Sequence, residues 1–187
     1  MTDRLATYRE VFSDPYEIER EYARAGMAIS LLGRSVESGQ QILLKVLRSE
    51  LAAGGGAERF LREAGVLGRL DHHLIIPIVD SGNIGGVAYI VTPFIQGESL
   101  QQRLARERQL SVEHTLRVER DVAEALSYAH AQGVLHRDIK PANIFLTRGR
   151  AMLTDFTLAE TITGGCLRHT AIYVSGGLGR TRPGHPV

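Results

Sequence analysis

The chain has 187 residues, 43% hydrophobic and 23% charged, the composition of an ordinary soluble globular protein with room for one sizeable core or two small lobes sharing a cleft. A formal net charge of +1 gives no bulk argument for nucleic acid or an acidic membrane surface. The lone Cys166 permits no internal disulfide and no cysteine-built zinc site, which fits a reducing, cytoplasmic setting, and no apolar run approaches the roughly 20 residues that cross a bilayer.

Residues 1–15, with "MTDRLATYREVFSD", carry no apolar signal stretch and read as an N-terminal extension. "AISLL" from Ala28 and "QILLKVL" from Gln41 read as strands joined by the polar, Gly-containing "GRSVESGQ". The glycines at 54–56 read as a loop, after which Phe60, Ala64 and Leu67 recur at helical spacing, with Glu58, Arg59, Arg62 and Glu63 between them. "IIPIVD" and "VAYIVTPF" read as two more strands linked by the turn-rich "SGNIGG". The second half turns helical. "ESLQQRLARER" is a short helix, and Ser111 caps a longer one whose apolar face is Val118, Val122, Ala125, Leu126 and Ala129, closed by Gly133. "VLHRDIKPANIFL" and "AMLTDFTLA" give short strand and loop pieces, and residues 175–187, "SGGLGRTRPGHPV", read as a solvated, disordered tail. Strands, one helix, strands and then helices imply a β-rich lobe followed by an α-rich lobe, with a cleft between them as a ligand site.

Of the 22 basic residues only Lys45 and Lys140 are lysines. Lysine offers a compact point charge where arginine offers a planar fork. Lys140 stands between Asp138 and Asn143 in "HRDIKPANIFL", and Asp155 follows in "TDF". Phosphoryl transfer needs a cation on the phosphates, a carboxylate for Mg²⁺ and a carboxylate near the attacking hydroxyl. Asp138, Asn143 and Asp155 supply hard oxygen atoms of the kind Mg²⁺ prefers. Lys45 lies in an apolar strand, where an ammonium needs a partner, and Glu63 on the following helix is a natural one.

These residues resemble the catalytic core of a bacterial, eukaryotic-like (Hanks-type) serine/threonine protein kinase. "ILLKVL" is similar to the family's lysine-bearing strand, "RFLREAGVLGRLDHHLI" to its N-lobe helix and the link after it, and "YIVTPFIQGESL" to its fifth strand and interlobe hinge. The resemblance runs from Tyr16 to Leu158. It implies an α+β, kinase-like two-lobe fold: a complete β-rich N-lobe with hinge (16–95) and an incomplete α-rich C-lobe (96–174) that stops within the activation segment. It implies ATP and Mg²⁺ as cofactors, a protein substrate with a Ser or Thr acceptor, no nucleic acid and no membrane span. Lys45 would hold the α- and β-phosphates and pair with Glu63. Asp138 would orient or deprotonate the hydroxyl, Lys140 would neutralise the γ-phosphate, and Asn143 and Asp155 would bind Mg²⁺. His136 and Phe156 would be packing supports with Leu67 above them. Thr92 would be the gatekeeper, Pro93 would offer its carbonyl and Ile95 its N–H to adenine, and Phe145 would form the pocket floor.

The chain also departs from the family. The phosphate-covering loop matches "ARAGMAIS", comprising Ala23, Arg24, Ala25, Gly26, Met27, Ala28, Ile29 and Ser30. Ala23 and Ala25 replace glycines that allow close backbone approach, Ser30 replaces the Val over adenine, and Leu43 replaces a small Ala, so weakened nucleotide binding is expected. Thr157 replaces the Gly of Asp-Phe-Gly with a stiff β-branched residue. Thr161, Thr163, Thr170 and Ser175 fall where activation-segment phosphosites lie, with Arg137 as a phosphate partner. These departures leave an inactive, pseudokinase-like binding module as the alternative, and a small-molecule phosphotransferase behind it. The adjacent His72 and His73 match the link after the helix rather than a metal pair.

Overall fold

The computed structural model describes residues 4–25, 28–52 and 54–156. In chain order they form α1 (Arg4–Val11), β1 (Tyr16–Ala25), β2 (Ala28–Ser35), β3 (Gln41–Leu47), α2 (Ser49–Ala52), α3 (Gly56–Leu67), β4 (Asp80–Ile84), β5 (Val87–Pro93), β6 (Glu98–Ser99), α4 (Leu100–Glu107), α5 (Val112–Ala131), a 3-10 turn (Pro141–Asn143), β7 (Ile144–Thr147) and β8 (Arg150–Leu153). Five antiparallel strands in the order β1-β2-β3-β5-β4 make the first lobe's sheet, and β6-β7-β8 make a small second sheet under the helices. The α+β, sheet-rich then helix-rich arrangement is the one expected.

Alternation along β3 sets up everything that follows. Ile42, Leu44 and Val46 point into a buried cluster with Ile18, Ile29, Leu31, Tyr89 and Val91, while Gln41, Leu43 and Lys45 take the opposite, half-exposed face. Phe12 closes that cluster, fully buried and edge-on to Tyr89 at 5.3 Å. The segment expected to be an extension thus contributes a core side chain.

The helices follow their apolar spacing. In α3, Phe60 and Ala64 are buried, and Leu67 packs on the second lobe's core. Ser111 caps α5 by accepting from the His114 N–H, as expected, and Gly133 at φ 74° turns the chain away from its end. Ala125 and Ala129 are fully buried, with Val118, Val122 and Leu126 packed around them. Asp121, buried on the same helix, accepts from Arg150 Nε at 3.2 and 3.1 Å and from the Ala151 N–H at 2.8 Å, tying α5 to β8.

Two elements differ from the sequence reading. "IIPIVD" is not a strand: Ile75 makes a single parallel bridge to Leu153, and β4 occupies "DSGNI", which had read as a link. Pro77 has no N–H to give a ladder, whereas the polar run after it pairs with β5 at the sheet's edge. β1 was not recognised, because its charged residues mask the alternation of buried Tyr16 and Ile18.

Candidate active site

Strand register assembles the upper wall of the cleft. Ser30 lies opposite Lys45, Lys45 opposite Ile90, and Leu43 opposite Thr92, so these positions form neighbouring rows on one sheet. Lys45 keeps 19% of its side chain exposed, and burial pulls its ammonium down to about 8. It binds the Asp155 carboxylate, which the chain delivers from the end of β8. Asp155 holds φ 54°, a left-handed backbone that costs a non-glycine residue about 1–2 kcal/mol.

The loop below is fixed by hydrogen bonds to that same segment. His136 is buried, and its Nε2–H donates to the Thr154 carbonyl at 3.0 Å. Burial pulls its pKa down and holds it as a neutral packing group, with its ring 4.4 Å from that of Phe156. Asn143 Nδ2 donates to the Asp138 carbonyl at 2.9 Å and to its carboxylate at 3.0 Å. Lys140 Nζ lies 2.6 Å from the same carboxylate oxygen. The Lys140 contact, aided by Asn143, holds Asp138 below the ordinary carboxylate range. The Thr154 N–H in turn donates to the Asn143 carbonyl at 3.1 Å, so the positions of Asp138, Asn143 and Asp155 are set together.

Glu63 corrects one expectation. The structure pairs Lys45 with Asp155, while Glu63, buried on α3, has Arg59 one turn earlier at 3.3 Å. An i,i+4 arginine reaches a glutamate on its own helix with no help from tertiary packing, and Asp155, aimed by its left-handed backbone, takes the ammonium.

The remaining positions fall around the cleft. Ala23 pairs with Ser30, Arg24 with Ile29 and Ala25 with Ala28, so the β1–β2 ladder runs up to the Gly26–Met27 connection, which lies outside the described residues. The Arg24 guanidinium is held by Glu21 at 2.8 Å on the exposed side. Thr92 is buried and its hydroxyl donates to the Leu43 carbonyl at 3.5 Å. Behind it a cavity of about 70 Å³ is lined by Lys45, Leu67, Ile90, Thr92, Asp155 and Phe156, among others. Pro93 ends β5, the next N–H, that of Phe94, donates to the Gln41 carbonyl at 3.0 Å, and Ile95 follows in the crossing segment. Phe145 lies on β7 opposite Ser99. Thr157, Thr161, Thr163, Cys166, Thr170, Ser175 and the 175–187 tail lie outside the described residues.

Sequence reasoning missed Tyr22 and Arg59. Tyr22, next to Ala23 on β1, meets the ring of Phe94 edge-on at 5.7 Å and bridges β1 to the crossing segment. Its only sequence signal was a large aromatic beside the matched loop. Arg59 could have been found from its four-residue spacing to Glu63.

The donor set suits a hard cation. Asn143 commits its amide nitrogen to Asp138, which leaves its side-chain oxygen as the ligand atom, and the Asp155 carboxylate is fixed by Lys45. Asn143 and Asp155 would hold a magnesium ion there, which would supply positive charge to phosphate oxygens.

Comparison with known proteins bears on the same residues. The family model described as "Protein kinase domain" matches residues 22–175. A probable serine/threonine-protein kinase pknA2 of Bifidobacterium longum is 33% identical over 162 residues, covering 84% of this chain and 21% of the relative. Serine/threonine-protein kinase PknJ of Mycobacterium tuberculosis is 37% identical over 153 residues, covering 79% and 26%. The crystal structure of the Mycobacterium tuberculosis PknI kinase domain superposes with a TM-score of 0.69 at 34% identity, covering 78% of this chain and 59% of that one. The chain therefore spans about a fifth to a quarter of the length of these curated relatives.

Proposed function

The chain belongs to the protein kinase family, and from that premise we propose that it carries the nucleotide-binding and catalytic residues of an ATP-dependent protein serine/threonine kinase. The supporting observation is the convergence of Lys45 from the sheet lobe on Asp155, whose neighbour Thr154 is hydrogen-bonded to the Asn143 that, with Lys140, grips Asp138. In this reading Lys45 holds the α- and β-phosphates of ATP, and Asn143 and Asp155 hold Mg²⁺. The hydroxyl oxygen of a substrate Ser or Thr attacks the γ-phosphorus, the bond to the β,γ-bridging oxygen breaks, and ADP leaves. The hydroxyl proton passes to Asp138, whose depressed pKa keeps it an acceptor at neutral pH. Lys140 follows the charge on the moving phosphoryl group. Thr92, Leu43, Pro93, Ile95 and Phe145 border the adenine, and Ala23 to Ser30 cover the phosphates.

Ser/Thr specificity rests on Lys140 and on the relatives being serine/threonine-protein kinases by name. Among the described residues no helix is long and apolar enough to cross a membrane; a cytoplasmic setting is our reading of the lone Cys166. The test is transfer of radiolabel from γ-labelled ATP to a generic protein substrate. Label transfer that disappears in Asp138→Asn is expected. Equal transfer by the native chain and Asp138→Asn would overturn the proposal.

A further inference from the structure

Away from the cleft, the loop after α3 brings two imidazoles against one carboxylate of α5. His72 Nε2 lies 3.7 Å and His73 Nε2 3.5 Å from Glu124 Oε1. One ligand atom from each of the three residues lies within 4.8 Å of the other two. We propose that His72, His73 and Glu124 form a binding site for a borderline divalent cation of the Zn²⁺ class.

The distances fit. Zinc bonds of about 2.0–2.2 Å put neighbouring tetrahedral ligands about 3.3 Å apart. Both histidine–glutamate edges are within a few tenths of that. Two imidazoles and one carboxylate suit Zn²⁺, where an all-oxygen set would suit Mg²⁺ or Ca²⁺. Three protein ligands leave the fourth position to solvent.

The site is also held in place. The His72 side chain is 15% exposed, and its ring stacks on Tyr128 of α5 at 4.8 Å. The Tyr128 hydroxyl accepts the Asp71 N–H at 3.1 Å, which anchors the backbone just before the histidines to the helix that carries Glu124. His73 and Glu124 are open to solvent at 60% and 47%, so an ion has a route in.

Two contacts compete with the metal. The Leu74 N–H donates to His72 Nδ1 at 3.3 Å, and Arg150 Nη2 lies 3.4 Å from His73 Nε2. The first is long and is given up when His72 presents the lone pair of Nε2. The second is replaceable because both carboxylate oxygens of Asp121 already hold Arg150 Nε, and the arginine is half exposed. Both contacts keep the affinity below that of a closed structural zinc site.

Isothermal titration of the chelator-stripped full chain with ZnCl₂ tests this directly. One equivalent should bind, remain bound in excess Mg²⁺, and weaken about tenfold or more in both His73→Asn and Glu124→Gln, since second-shell losses alone reach that size. Circular dichroism checks that these surface variants remain folded. Co²⁺ substitution should give tetrahedral absorption bands in the native chain and lose them in each variant. No binding, displacement by Mg²⁺, or unchanged affinity in both variants would overturn the proposal, the last assigning zinc to Cys166 or other histidines.

Discussion

Lys45 shows how far single residues could be read. With only two lysines in the chain, Lys140 between Asp138 and Asn143 and Lys45 in an apolar strand where its ammonium needs a partner, the positions stood out before any fold was known. The partner of Lys45 did not, because which carboxylate reaches a buried ammonium depends on backbone geometry such as the left-handed Asp155. The burial of Lys45 has a signed consequence. With its ammonium pulled down to about 8, Mg-ATP binding should weaken about tenfold between pH 7 and pH 9 as the cation is lost. Stability should move the other way. An unfolded lysine titrates near about 10.4, so above about 8 the unfolded chain holds the extra proton and this group favours folding as pH rises to 10.4. Calorimetric titration of Mg-ATP across that range, with Lys45→Met as the pH-insensitive control, checks the effect. A flat profile in the native chain would mean that Lys45 keeps its ammonium up to about pH 9, and loss of binding in Lys45→Met then reports its role. A second residue-level expectation concerns Ala23 and Ala25, which stand at glycine positions of the family. The double change to Gly should tighten Mg-ATP binding severalfold in the same titration.

At the scale of elements, strong periodicity was legible and polar edges were not. β3, α3 and α5 carry apolar residues at spacings that packing alone requires, and all three formed as read. β4 escaped because its pairing depends on β5 and not on its own residues. Two joints should be sensitive. Asp121 is the acceptor for both Arg150 and the buried Ala151 N–H, so Asp121→Ala should cost about 2–3 kcal/mol in urea unfolding, most of it from the orphaned N–H. Gly97 has φ 157°, and a Cβ there would sit 2.2 Å from the Leu146 carbonyl and 2.8 Å from the Phe145 ring. Backbone cannot yield as a side-chain tip can. Gly97→Ala should therefore cost more than about 1 kcal/mol and weaken nucleotide binding, read by the same unfolding and titration experiments.

Across the whole molecule, the order of strands and helices was enough to foresee two lobes, because each must bury one face. The contribution of the first residues was not foreseen. Phe12 follows Val11 in an otherwise polar run of the sequence, yet it is fully buried against Tyr89. Phe12→Ala should destabilise the fold by about 3–5 kcal/mol, measured by thermal or urea unfolding. Among the described residues the lobes meet at several places: the crossing near Phe94, the Lys45–Asp155 pair, Leu67 on the second lobe's core, the Asp71–Tyr128 hydrogen bond, and Leu153, whose N–H donates to the Leu74 carbonyl and whose carbonyl accepts the Ile76 N–H. Parting the two halves would therefore first have to break the Lys45–Asp155 pair and both Leu153 hydrogen bonds.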